Sequence, residues 1–179
     1  MKHSVQNWEE IKREPGQKFY GRSVDKVCFR LPDGQEADFA LFSGGKSVAC
    51  LALTKNNEVV LARQFRPGPK MILNELPGGG LRDGENPEEA MKRELLEETG
   101  YQGKVALVTT LWHDGYSPRI KYALVATECE KITEPVLEDN GESIETALMS
   151  LAEFREHLHS GQLTDIEIGY LGLDFLGLL

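Results

Sequence analysis

The stretch that most constrains this sequence lies between Pro77 and Tyr101, where a glycine-dense loop runs straight into a helix with both ends written out. Gly78-Gly79-Gly80-Leu81-Arg82-Asp83-Gly84 is the loop. Asn86 suits an N-cap, Pro87 the first helical position and Glu89 the capping-box position, and Gly100 is placed to end the helix. On a helical wheel Arg93, Glu94, Glu97 and Glu98 share one side around Ala90, while Met91 and Leu95 fall on the other, with Leu96 toward its far edge. The plain reading is a surface helix with an acidic solvent face. Against it, Glu94 lies three residues from Glu97 and four from Glu98, and like charges at those spacings cost roughly 0.2–0.5 kcal/mol per pair. Arg93 relieves Glu97 at i+4 and leaves the other charges side by side. A hard divalent cation, which prefers carboxylate oxygen, turns that cost into a site. The glycines let the loop backbone come close to the helix and offer a carbonyl as a further ligand.

Around this segment the pattern is α+β. A short helix is expected near Trp8–Arg13, ended by Pro15-Gly16. Phe19–Leu31 holds a strand-like stretch with Val24, Val27 and Phe29. Pro32-Asp33-Gly34 turns it into a second strand over Ala37–Phe42, so a hairpin is expected. Lys46–Leu53 and Glu58–Phe65 read as strands joined by Asn56-Asn57. After the helix come strands at Val105–Trp112, Ile120–Ala126 and Ile144–Met149, then helices near Leu151–His159 and Thr164–Leu176. There is no regular βαβ alternation, which points to a mixed sheet with helices packed on it. The expected division is residues 1–45 as an N-terminal hairpin segment and 46–179 as the main domain.

The formal net charge is -9, which disfavours nucleic acid or an anionic membrane as partner. No apolar run is long enough to span a bilayer, and the first residues lack the apolar core of a secretion signal. Cys28, Cys50 and Cys129 have neither zinc spacing nor the even number of a disulfide framework, and each is expected as a reduced core thiol. A cytoplasmic location is the expectation. His3, His113, His157 and His159 show no metal spacing, and His157 with His159 reads as a solvated helix end.

Gly79, Glu85, Arg93-Glu94, Leu96, Glu97-Glu98, Gly100 and Tyr101 resemble the Nudix box at every defined position, with Tyr101 where an aliphatic side chain is usual. The resemblance implies a Nudix-type α/β/α sandwich with a mixed β-sheet, and hydrolysis of a pyrophosphate bond with Mg²⁺, for which Mn²⁺ substitutes. It implies that Glu94, Glu98 and the Gly78 carbonyl hold the metal with Glu97 at or beside it. Arg93 would orient the carboxylates, and Glu85 would fix the loop to the helix. Metal ions would also offset the repulsion between an acidic protein and an anionic substrate.

Arg63-Gln64-Phe65-Arg66, Glu75-Leu76-Pro77 and Gly115-Tyr116-Ser117-Pro118 look like the ADP-ribose pyrophosphatase and nucleotide-sugar branch of that family. In that light Arg63, Arg66, Glu75, Tyr116 and Ser117 are candidate substrate contacts, beside the plain reading of Arg63 and Arg66 as solvated charges. Glu142, with Glu138 in reserve, stands where the branch carries a general base. Gly78 and Arg119 depart from the branch, which has alanine and glycine there. The branch also implies a homodimer with exchanged N-terminal strands, a use for the aromatic residues Trp8, Phe19, Tyr20, Phe29, Phe39 and Phe42. Two rival readings are a Nudix hydrolase of a nucleoside triphosphate or dinucleoside polyphosphate, and a non-catalytic nucleotide-sugar sensor. A sensor is expected to have lost box carboxylates, and none is missing here.

Overall fold

The computed structural model describes residues 4–19, 22–136 and 143–179. The chain divides into two compact units, residues 1–45 with 112–120, and residues 46–111 with 121–179.

The first unit is built on an antiparallel sheet of β1 (Glu9–Glu14), β2 (Val24–Arg30) and β3 (Glu36–Phe42), in that order. The β2–β3 turn closes as its Pro-Asp-Gly signal predicts: Gly34 takes φ 85° and the Gln35 N–H donates to Asp33 Oδ1 at 3.0 Å. The helix expected near Trp8–Arg13 is absent, and those residues lead into and form β1. So short a helix is marginal by itself. As a strand the segment pairs with β2 from Glu9↔Arg30 to Glu14↔Lys26. It also carries Trp8 onto Phe29 and Phe39, at ring-centroid distances of 6.1 and 5.2 Å. Cys28 is half-buried here and is not a core thiol, whereas Cys50 and Cys129 are buried.

The second unit holds β4 (Lys46–Thr54), β5 (Glu58–Arg66), β6 (Met71–Glu75), β7 (Gly78–Gly80), α1 (Pro87–Thr99), β8 (Tyr101–Asp114), β9 (Ser117–Lys131), β10 (Ile144–Ser150), α2 (Leu151–Ser160) and α3 (Ile166–Phe175), with residues 112–120 of β8 and β9 grouped in the first. The sheet runs β10-β5-β4-β9-β8, with β6 beside β5 and β7 beside β4. The unbroken apolar run of β4 is explained by burial on both faces. Ala49, Leu51 and Leu53 pack with Phe154 and Leu158 of α2 and Ile168 and Leu173 of α3. Val48, Cys50 and Ala52 pack with Ala90, Met91 and Leu95 of α1. The result is an α/β/α sandwich whose central strand ends beside the acidic helix. Among the described residues no helix is long and apolar enough to cross a membrane.

Helix α1 starts and stops where its sequence says. Asn86 Oδ1 accepts the Glu88 N–H at 2.8 Å, and Gly100 takes φ 74° while its N–H donates to the Leu96 carbonyl. Glu89 does not close a capping box; its carboxylate pairs with Lys92 at 2.7 Å. The glycine loop is more ordered than its composition suggests. Gly78–Gly80 is a strand, because its backbone pairs with β4 at Ala49↔Gly78, Val48↔Gly79 and Ser47↔Gly80.

Candidate active site

Strand β7 and helix α1 face each other, and two glycines set the distance. A Cβ on residue 79 would lie 2.4 Å from the Glu94 carboxyl carbon, and one on residue 78 would lie 2.3 Å from the Val48 carbonyl oxygen. Side chains at either position are therefore excluded unless the strand or the carboxylate moves. The close approach lets the Gly78 N–H donate to Glu98 Oε2 at 2.9 Å.

Arg93 organises the rest. Its Nε and Nη2 each donate to Glu85 at 2.9 Å, a bidentate pair, and Nη2 also donates to the Gly80 carbonyl at 3.0 Å. Nη1 donates to Glu94 at 2.7 Å and to Glu97 at 3.0 Å. Glu85 also accepts the Arg82 N–H at 2.9 Å, so one arginine ties loop, strand and helix together.

The electrostatics sort the carboxylates. Arg93 holds the Glu85 carboxyl down to about 2. Burial pushes Glu94 up, against the opposing pull of Arg93. Burial pushes Glu98 up to about 8, only partly offset by the Gly78 N–H. Glu98 is thus a largely buried carboxyl with a neutral donor and no ion-paired cation among the described residues, an arrangement that costs free energy when ionised.

That chemistry fits a hard divalent cation. Glu94 and Glu98 are oxygen donors one helical turn apart, Glu97 flanks them, and Gly78 supplies the strand alongside. Among the described residues, however, no three carboxylate, imidazole or thiol groups are already gathered into a metal site. The reason is visible in the pairing. Arg93 occupies one oxygen each of Glu94 and Glu97.

Other candidates fall in several places. Arg66 donates through Nε to Glu75, whose side chain is only 1% exposed and which also accepts the Thr164 hydroxyl at 2.6 Å. Arg63 lies on the same strand, exposed, with Glu145 at 3.7 Å. Tyr116 and Ser117 belong to the first unit, where the Phe42 N–H donates to the Tyr116 carbonyl at 3.0 Å and Arg119 Nε to the Ser43 carbonyl at 3.0 Å. Glu138 and Glu142 lie outside the described residues. His157 is not a solvated helix end, because its Nε2 donates to the Asn74 carbonyl at 2.7 Å. No sequence signal singles out Thr164, which is 89 positions from Glu75.

A mixed sheet between helix layers, with a glutamate-rich helix behind a glycine strand, is the arrangement that the box sequence implies. Residues 45–167 match the NUDIX domain, and the chain belongs to the Nudix hydrolase family. It is 28% identical over 156 residues to the ADP-ribose pyrophosphatase of Bacillus subtilis (strain 168), covering 85% of this chain and 84% of that one. It is 29% identical over 176 residues to the methanol dehydrogenase activator of Bacillus methanolicus, covering 93% and 94%. A shorter stretch of 86 residues is 54% identical to the ADP-sugar pyrophosphatase of Mus musculus, 48% of this chain and 37% of that one. A solved structure of an ADP compounds hydrolase matches with TM-score 0.80 over 99% of this chain and 100% of that one; at 18% identity the likeness is one of fold.

Proposed function

We propose that this Nudix hydrolase splits the pyrophosphate bond of ADP-ribose or a related nucleoside diphosphate sugar, releasing a nucleoside monophosphate and a sugar phosphate. The observation that carries the reading is the Glu94–Glu97–Glu98 face held against Gly78–Gly79 and oriented by Arg93. The ADP-ribose and ADP-sugar pyrophosphatases among its relatives support the choice of substrate.

Glu94, Glu98 and the Gly78 carbonyl would hold Mg²⁺ or Mn²⁺, with Glu97 beside them. The cation, when bound, neutralises phosphate charge and lowers the pKa of a coordinated water. Gly78 holds the Glu98 carboxylate in place through its N–H, and Arg93 keeps Glu94 and Glu97 on the same face. Arg66, with Nε anchored on Glu75, turns its remaining guanidinium nitrogens to a phosphate, and Arg63 adds a second cation on the same strand. Glu142 takes the proton from the attacking water as general base. Tyr116 and Ser117 contact the substrate. The working form is a homodimer with exchanged N-terminal strands.

The test is product analysis across nucleoside diphosphate sugars with Mg²⁺. AMP and ribose 5-phosphate are expected from ADP-ribose. Release of inorganic phosphate or pyrophosphate instead would rule the proposal out.

A further inference from the structure

We propose that Thr164 is a positioning residue for this reaction, setting the aim of Arg66 through Glu75. The inference rests on the reading of Arg66 as a phosphate contact. Glu75 is a nearly fully buried carboxylate, and a group so placed needs its oxygens satisfied. They are divided between two partners. Oε2 takes Arg66 Nε, and Oε1 accepts the Thr164 hydroxyl at 2.6 Å. With an oxygen held on each side, the carboxylate is braced, and the Arg66 Nε bonded to it is held at a braced acceptor.

The choice of nitrogen matters. Arg66 spends Nε on Glu75, and among the described residues its Nη groups have no hydrogen-bond partner. The side chain is 37% exposed, which leaves a pair of N–H donors of the kind that suits two phosphate oxygens.

Thr164 is itself well anchored. It lies between α2 and α3, preceded by Leu163, which is buried, and followed by Asp165, which pairs with Lys121 on β9. The segment is therefore a fixed post from which one hydroxyl reaches the buried carboxylate. A threonine that merely tied this segment to β6 would affect stability, with no particular dependence on Arg66.

The test is a double-mutant cycle on the full chain with ADP-ribose and Mg²⁺, using Thr164→Val, Thr164→Ser, Arg66→Ala and the double variant Thr164→Val/Arg66→Ala. Thr164→Val keeps the shape and loses the donor. It is expected to raise KM roughly tenfold with a smaller change in kcat, since a misaimed arginine weakens phosphate binding. Thr164→Ser, which keeps the hydroxyl, should stay within about twofold of the parent. In the Arg66→Ala background Thr164→Val should add nothing further. A parent-like KM in Thr164→Val, or the same fold-loss with and without Arg66, would overturn the proposal. Thr164→Ala replaces the valine variant if that one does not fold. If the parent enzyme splits no nucleoside diphosphate sugar, the functional reading fails by itself. The same cycle is then read by calorimetric binding of ADP with Mg²⁺, where an Arg66-dependent loss still supports the role of Thr164 and its absence overturns it.

Discussion

At the scale of single residues the site is an exercise in placing carboxylates that repel one another. Arg93 resolves part of the conflict by spanning Glu85, Glu94 and Glu97, and Gly78 resolves another part by donating to Glu98. The Arg93–Glu97 contact was legible, since residues four apart on a helix meet. The Glu75–Thr164 contact was not, because no local pattern joins residues 89 positions apart. Glu85 yields a pH prediction. Its carboxyl sits at about 2 in the folded chain against an ordinary 4.5, so its stabilising contribution is full above about 4.5 and is lost as pH falls toward 2. Thermal denaturation of Glu85→Gln is expected to show a shallower loss of stability across that window than the parent; an unchanged slope would count against the assigned pairing. For the proposed base, Glu142→Gln should lower kcat roughly a hundredfold or more while changing KM little. If steady-state kinetics show that effect in Glu138→Gln instead, the base is Glu138.

Elements were legible where burial or capping left a mark. Strand β4 announced itself because both its faces are buried, and α1 because Asn86, Pro87 and Gly100 each do a local job at its ends. Strands β8 and β9 run from Tyr101 to Asp114 and from Ser117 to Lys131, longer than their apolar centres suggest. Backbone pairing continues through polar residues that carry no hydrophobic signal. The same blindness hid β7, whose glycines have no side chains to form a pattern, and β1, whose Glu-Glu-Ile-Lys-Arg-Glu sequence is exposed throughout. Leu51 is fully buried under α2 and α3, so Leu51→Ala should destabilise the fold by about 2–5 kcal/mol. Denaturant unfolding reads this directly, and a loss below about 1 kcal/mol would mean that strand and helices are not packed as described.

Across the whole molecule, the sandwich was legible chiefly through the box, since composition and periodicity alone gave only a mixed sheet with helices. The first unit exposes Trp8, Phe19 and Phe42 by about half or more of their surface, a large apolar display for so small a sheet. The proposed exchanged dimer covers such side chains. Size-exclusion chromatography with light scattering should give twice the chain mass of 20.0 kDa, and a monomer at every concentration would remove the dimer from the account. The claim at the centre is that the Glu94–Glu97–Glu98 face runs a metal-dependent cleavage of pyrophosphate. It is tested most directly by the rate of AMP formation from ADP-ribose as Mg²⁺ is titrated, in the parent and in Glu98→Gln. The account predicts a parent rate that vanishes in chelator and returns with Mg²⁺, and a variant slower by roughly a thousandfold at saturating metal. Full parental activity in chelator, or an undiminished rate in Glu98→Gln, would contradict it.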